Sequence, residues 1–377
     1  MIAGSRQSVI GRGSPVKRSA ERNPAFHPPK TVLPTADCRP PAETGVILVA
    51  LLWILTALSV IALSFSRESF VEVAAARNSQ SLEASYFLAR AGIETTIYRL
   101  MQKRRTAPVK RAELQETPDP IDLGFMTGEL GGGAYQVDIQ DESGKINLNT
   151  VSEQQLRGLM EALGINKEDG DTIVDSILDW RDADNLHHLN GAEDDYYETL
   201  NPPYEAKNGR FETTEELLLV RGVTPTYFYG YPERTADGTV AYRYGLSRCF
   251  SVYSNRNQMN QISPINVNFA PLPVLMSIPG MTPEAAKQIY DRRRIKPFQN
   301  TSEITRELPM NLGAATMPYL GTIQTGVYTL TASAQAANSK ARRVIRAVIN
   351  LMQVSVNEPY QTLYWNENVP DYESAKP

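Results

Sequence analysis

The densest chemistry in this chain is a run of carboxylates. Between residues 179 and 198 stand Asp179, Asp182, Asp184, Glu193, Asp194, Asp195 and Glu198, carried by Asp179-Trp180-Arg181-Asp182-Ala183-Asp184-Asn185 and by Asn190-Gly191-Ala192-Glu193-Asp194-Asp195-Tyr196-Tyr197-Glu198. Charges of one sign at this density repel unless something offsets them. Calcium suits the task, because it takes about six to eight hard oxygen ligands from carboxylates, Asn side chains and carbonyls on a Gly-containing loop. The spacing is not that of an EF-hand, and a solvated acidic face in which Arg181 pairs locally accounts for the same residues. Paired catalytic carboxylates would need a cleft and a protonated partner, and neither is suggested nearby. Zinc on His187 and His188 is disfavoured, since adjacent histidines point apart and no Cys or spaced third ligand accompanies them. Trp180 reads as a core residue.

The elements that must position this loop are helical. Lys145-Ile146-Asn147-Leu148-Asn149-Thr150 leads into helical patterns over Ser152–Leu163 and Asp171–Trp180, with Ser152 as the N-cap of the first. The same plan recurs in Ile265-Asn266-Val267-Asn268, then Val274-Leu275, Ile278-Pro279-Gly280-Met281-Thr282-Pro283 and a helix over Glu284–Arg294. We read an internal duplication of a helix-turn-helix unit, of helix-hairpin-helix or SAM-like type. With a further helical piece at Thr214–Gly222, residues 145–322 are expected to form a mainly α-helical domain.

Strand patterns flank that domain. Tyr135, Val137 and Ile139 alternate with polar residues over Gly133–Gln140, and Gly326–Ser333 and Lys340–Asn350 alternate well enough to pair as a hairpin. Two strands alone are marginal. The Gly133 strand supplies the third, which makes the helical domain an insertion into a small antiparallel sheet. Leu246–Tyr253 also alternates, so Cys249 within it is expected to be a small core residue.

Ahead of all this lies a long helix. Val46–Phe65 is almost wholly apolar and uncharged, and at about 1.5 Å per residue it spans roughly the 30 Å of a bilayer's hydrocarbon core. No breaker interrupts its continuation to Arg105, where Leu82, Tyr86, Ala89, Ile93, Ile97 and Leu100 form one stripe; Gly92 inside it allows a close approach or a bend. The first part suits lipid or a helical bundle, and the second suits packing on a globular domain. The expected division is therefore a leader at 1–45, the helix at 46–105 with its span at 46–65, the first part of an α/β domain at 106–144, the helical insertion at 145–322, the closing strands at 323–353 and a tail at 354–377.

Composition narrows the function. The 377 residues are 42% hydrophobic and 21% charged, with a net charge of −4. Residues 1–45 hold seven Lys/Arg against three Asp/Glu, a net of +4, which leaves −8 for the rest. A basic leader before the span favours a cytoplasmic N-terminus and an exported body. The acidic body argues against a phosphate-binding surface and hence against nucleic acid as a partner. The two cysteines, Cys38 and Cys249, fall on opposite sides of the span, so no disulfide joins them.

The Gly45/Val46 junction before an apolar helix resembles the prepilin-peptidase site of type IV pilin-like proteins. Ile146-Asn147-Leu148-Asn149-Thr150, Asp179-Trp180-Arg181-Asp182 and Asn190–Tyr197 resemble the general secretion pathway protein K family, the large minor pseudopilins of type II secretion, over most of residues 43–353. The resemblance implies an α+β, pilin-like fold, cleavage by prepilin peptidase after Gly45, methylation of Val46, and a single-pass inner-membrane protein with a periplasmic body. It also implies assembly with other minor pseudopilins at the pseudopilus tip, no enzymatic activity, and bound calcium with Asp179, Asp182, Asp184, Glu193, Asp194 and Asp195 as candidate ligands. Ala50, Trp53, Leu82, Tyr86 and Ile93 belong to the implied assembly helix. Most pilins carry a glutamate at the fifth residue after the processing site, where this chain has Ala50; that absence resembles protein K and suits a tip subunit. The leader is longer than is usual for pilin-like proteins.

Two rivals come from other classes. One is a DNA-binding membrane protein of a DNA-uptake type, built on the helix-hairpin-helix likeness; Pro279-Gly280-Met281-Thr282 and Arg221-Gly222-Val223-Thr224 lack the Gly-hydrophobic-Gly of such hairpins. The other is a secreted enzyme cleaved at Ala62-Leu63-Ser64, for which the apolar run is too long and no nucleophile, base and orienter cluster is present.

Overall fold

The computed structural model describes residues 44–105, 124–234, 240–253, 263–307, 312–352 and 358–369. The leader up to residue 43 with Cys38, the connection at 106–123 and the last residues of the tail lie outside the described residues. The chain divides into two compact units, Met1–Glu68 and Ser69–Pro377.

Helix α1 runs from Thr44 to Arg105. In the first unit its side chains from Val46 to Phe65 are all exposed, and the segment is long and apolar enough to cross a membrane. Its few hydroxyls are satisfied locally. Thr56 Oγ1 donates to the Trp53 carbonyl at 2.8 Å and Ser59 Oγ to the Leu55 carbonyl at 2.7 Å, which lowers the cost of placing these two hydroxyls in an apolar surrounding.

In the second unit, α1 is followed by β1 (Phe125–Leu130), β2 (Gly133–Asp141) and β3 (Ile146–Asn147), then by α2 (Glu153–Ala162), α3 (Lys167–Arg181), α4 (Asp194–Tyr197) and α5 (Pro225–Tyr229). Next come β4 (Gly230–Arg234), β5 (Val240–Tyr244), α6 (Leu246–Cys249), β6 (Phe250–Ser251) and β7 (Ile265–Asn266). The chain continues with α7 (Leu272–Met276), α8 (Pro283–Ile295), α9 (Thr301–Glu307) and β8 (Leu320–Gly321), and ends with β9 (Val327–Gln335), β10 (Arg342–Asn350) and β11 (Gln361–Asn366).

An antiparallel sheet of order β1-β2-β9-β10-β11 lies against the second half of α1. Ala89, Ile93, Ile97 and Leu100 bury their side chains among Val137, Ile139, Leu330, Ala332, Ile345 and Ala347. Steps of four and three put those helix residues on one face, and the period of two puts the strand residues on another. Gly92 is the point of closest approach, where a Cβ would come within 2.7 Å of the Tyr135 ring. Ser85 fastens the β9–β10 end, its hydroxyl donating to the Ala341 carbonyl at 2.9 Å and accepting from the Ala336 amide at 3.0 Å.

The chain between β2 and β9 is built twice on one plan. In the first copy Asn147 Oδ1 accepts from the Asn149 amide, and the Asn149 side chain brackets the backbone of Phe211, accepting from its N–H at 2.8 Å and donating to its carbonyl at 3.0 Å. The Arg181 guanidinium donates to the carbonyls of Leu148 and Val151 at 2.9 and 2.8 Å. In the second copy Asn266 accepts from the Asn268 amide, Asn268 brackets Phe298 at 2.8 and 2.9 Å, and Arg293 donates to the carbonyls of Val267 and Ala270 at 2.5 and 2.6 Å. Each Ile-Asn strand also makes a parallel pair, β3 with β6 and β7 with β8. Ser152 caps α2 as expected, accepting from the Gln155 amide at 3.3 Å.

Several expectations are corrected. Leu246–Tyr253, read as a strand, is the helical turn α6 followed by the two residues of β6, because Cys249 and Leu246 both reach the core from one turn. β1 lies ahead of the Gly133 strand, where no strand was expected; it is a sheet edge that buries Met126 and little else, so its alternation is faint. β11 falls in the stretch read as a tail and pairs with β10 through Arg346–Asn350, with half-buried residues on both faces. The region expected to be mainly helical also holds the short ladders β3–β6, β4–β5 and β7–β8.

Candidate metal centre

Two of the aspartates of helix α3, Asp175 and Asp179, stand one turn apart in different surroundings. Asn166 starts the helix, its side chain accepting from the Asp169 amide at 2.9 Å. Asp175 is matched: Arg157 Nη2 donates to it at 2.8 Å, and Asn190 adds its backbone N–H at 3.0 Å and its amide group at 2.9 Å. Asp179 is wholly buried, and among the described residues its ion-pair partner is His188. One of its oxygens accepts from the His188 amide at 3.0 Å and meets the His188 ring at Nδ1, while its other oxygen has no hydrogen-bond partner.

The loop after α3 brings further unmatched oxygens to this point. Asp182, at the C-cap of α3, has one buried oxygen without a partner, and Glu193, 1% exposed, has two. Asp179, Asp182 and His188 each offer a donor atom, and these atoms lie within 4.8 Å of one another. Gly191 closes the cradle, since a Cβ there would sit 1.7 Å from the unpartnered Asp179 oxygen. The electrostatics follow from this crowding. Burial, reinforced by the charges of Asp179 and Asp182, pushes the Glu193 carboxyl up to about 7. Burial raises Asp182 as well, while the hydrogen bond to Asp179 raises the His188 imidazole.

Asp179, Asp182 and His188 could hold a divalent cation between them, and Glu193, whose two oxygens also lack hydrogen-bond partners, lies near enough to feel the charge of both aspartates. The other candidates from the sequence are spent on the loop itself. Asp184 accepts from the Leu186 amide at 3.0 Å; Asp194 accepts from the Ala206 amide at 2.7 Å and from Asn185 at 3.0 Å; exposed Asp195 pairs with His187 at 3.1 Å. In the solvated-face alternative Arg181 pairs within the loop; its guanidinium instead turns to the Leu148 and Val151 carbonyls. By sequence spacing alone His188 has no partner for a metal. The two histidines do point apart, but the fold gives His188 two aspartates that linear spacing could not reveal.

Trp180 is core, packed among Tyr197, Tyr204 and Phe211, with Tyr197 and Tyr204 contributed by the loop. Cys249 is a buried free thiol that burial pushes up to about 12, a small core residue as expected. Gly45 and Val46 lie in the first turn of α1, where Val46, Ala50 and Trp53 are exposed from residue 46 onward. Leu82 and Tyr86 are half-buried, with the Tyr86 hydroxyl 2.7 Å from Glu367, whereas Ile93 is wholly buried against the protein's own sheet.

Two family models, both described as Type II secretion system (T2SS), protein K, match residues 139–229 and 265–322, so that each begins at or just before one of the two Ile-Asn repeats. The Type II secretion system protein K of Pseudomonas aeruginosa PAO1 is 26% identical over 296 residues, covering 73% of this chain and 79% of that protein. That of Aeromonas hydrophila is 27% identical over 212 residues, 50% of this chain and 61% of the relative. That of Pectobacterium carotovorum is 32% identical over 111 residues, 28% and 34% of the two. In fold, the chain resembles a chain of the crystal structure of the GspK-GspI-GspJ complex from the enterotoxigenic Escherichia coli type 2 secretion system. The TM-score is 0.55 at 16% identity, covering 78% of this chain and 99% of that one. These relatives are secretion proteins, and the DNA-uptake reading finds no support among them.

Proposed function

We infer that the chain is a member of the type II secretion system protein K family and works as a minor pseudopilin, a structural subunit in protein export. One observation carries the reading: a helix whose first twenty or so residues are apolar and fully exposed continues, unbroken, into a stripe that covers a five-stranded antiparallel sheet. Such a helix can be held by lipid before assembly and by neighbouring helices after it, because both surroundings are apolar. The inner membrane would hold Val46–Phe65, with the body on the periplasmic side. Prepilin peptidase would cut after Gly45, leaving Val46 to be methylated.

The absence of a carboxylate at Ala50 fits a place at the end of the filament. A glutamate buried in an apolar helical bundle needs a partner, and a subunit without one makes no such demand on a neighbour. Since the E. coli relative was crystallised as a GspK-GspI-GspJ complex, we propose that this chain likewise assembles with other minor pseudopilins. The two Ile-Asn units are read as helix-hairpin-helix or SAM-like modules that serve protein packing. Calcium is the proposed occupant of the acidic pocket, with Asp179, Asp182 and Glu193 as ligands and Asp184, Asp194 and Asp195 shaping the loop. When bound, the ion would supply the positive charge that these buried carboxylates lack.

The test is the N-terminus of the membrane-associated protein, read by mass spectrometry. A chain starting at methylated Val46 is expected. A start near Phe65 would identify an ordinary signal peptide and overturn the reading.

A further inference from the structure

The donor set of the acidic pocket contains an atom that calcium does not use. Calcium binds oxygen ligands, whereas zinc binds imidazole nitrogen and carboxylate oxygen together, commonly in sets of three or four. We propose that His188 makes this pocket a zinc site, in which Asp179, Asp182 and His188 hold a Zn²⁺ ion that competes with calcium for the same carboxylates.

Three observations support this. The donor atoms of Asp179, Asp182 and His188 already lie within 4.8 Å of one another, close enough for one ion to draw all three together. Asp179, completely buried, presents an oxygen without a hydrogen-bond partner, and Asp182 presents another. Asp175, one turn earlier on α3, has its charge matched by Arg157, whereas among the described residues the ion-pair partner of Asp179 is His188. His188 is the exposed member of the group, which gives a cation a way in from solvent past the imidazole. Its Nδ1 is hydrogen-bonded to Asp179, and zinc would take the place of the proton held between them, with neutral imidazole as the ligand. His187 cannot join, because it turns to Asp195.

The proposal rests on the reading that this pocket holds a divalent cation, and the experiment separates the two. Full-length protein in detergent is stripped with chelator and titrated with ZnCl₂ and with CaCl₂ by calorimetry, alongside H188A, H187A and D179N. Cobalt substitution gives an independent spectroscopic reading of nitrogen ligation. The expected result is zinc binding that weakens at least tenfold in H188A and D179N but stays unchanged in H187A. Calcium affinity should change by less than about threefold in H188A and fall with D179N. The cobalt absorption of the wild type should change in H188A. Equal zinc affinity in wild type and H188A would overturn the zinc proposal while leaving the calcium reading intact. Binding of neither ion would overturn both. H188A removes an exposed ring, and its melting temperature against wild type checks that the variant folds.

Discussion

Buried carboxylates in this protein fall into those with a matched charge and those without. Glu142 belongs to the first kind, paired with Lys145 at 2.5 Å and accepting from the Thr329 hydroxyl at 2.7 Å. Its neighbour Asp141 belongs to the second: one oxygen accepts from the Ser143 amide and hydroxyl, the other has no hydrogen-bond partner, and burial pushes the carboxyl up to about 6. A raised carboxyl means that the folded state keeps its proton after the unfolded state has lost it. Stability therefore falls as pH rises from about 4 to about 6, and the penalty is fully present above that. Asp141→Asn should remove this part of the pH dependence, a change on the order of 2–3 kcal/mol between pH 4 and 7. Denaturant unfolding of both proteins across that range measures it, and parallel curves would refute the assignment. Asp179, Asp182 and Glu193 were legible from composition as a carboxylate cluster. That Asp175 is neutralised and Asp179 is not could not be read, because Arg157 is distant in sequence and reaches only one of the two.

Among the elements, α1 was the easiest to foresee, since its apolar run and its stripe are both periodic over many residues. Ile93 sits at the centre of that stripe, beside the close approach at Gly92, and is wholly buried. Ile93→Ala should cost about 2–5 kcal/mol of unfolding free energy, as a cavity there cannot collapse against a sheet pinned by Ser85. Chemical denaturation gives the value, and a loss below about 1 kcal/mol would mean that the helix is not anchored through this stripe. The central strands were visible for a similar reason, since their residue types alternate: β2 sets Val137 and Ile139 between polar residues, and β9, although buried on both faces, still sets Leu330, Ala332 and Ala334 between Thr329, Thr331 and Ser333. The edges β1 and β11 were not visible, because an edge strand has fewer neighbours and its residues need not alternate. Gly128 in β1 illustrates this, lying so close to the Tyr135 hydroxyl that a side chain there would have to displace that ring. The short parallel ladders escaped notice because two residues carry no period at all.

At the scale of the whole molecule, the acidic loop matters for more than its ligands. Tyr197 and Tyr204 pack from this loop onto Trp180 of α3, so a cation that holds the loop also holds part of the core. Chelation of the purified protein should therefore lower its melting temperature by about 5 °C or more, given about 2.7 kcal/mol for a site loaded at a hundred times its dissociation constant. An unchanged transition would rule out a structural cation. The Asn and Arg clamps add a point about how such a loop came to be tolerated. Arg293 and Phe298 of the second unit are joined through residues 294–297, whereas Arg181 and Phe211 of the first are joined through residues 182–210, yet each pair is held by the same hydrogen bonds. The ends of the longer segment are thus fixed by contacts that do not involve it. A lineage could lengthen, shorten or rewrite what lies between them, changing the ion or losing it, while the unit that carries it stays in register.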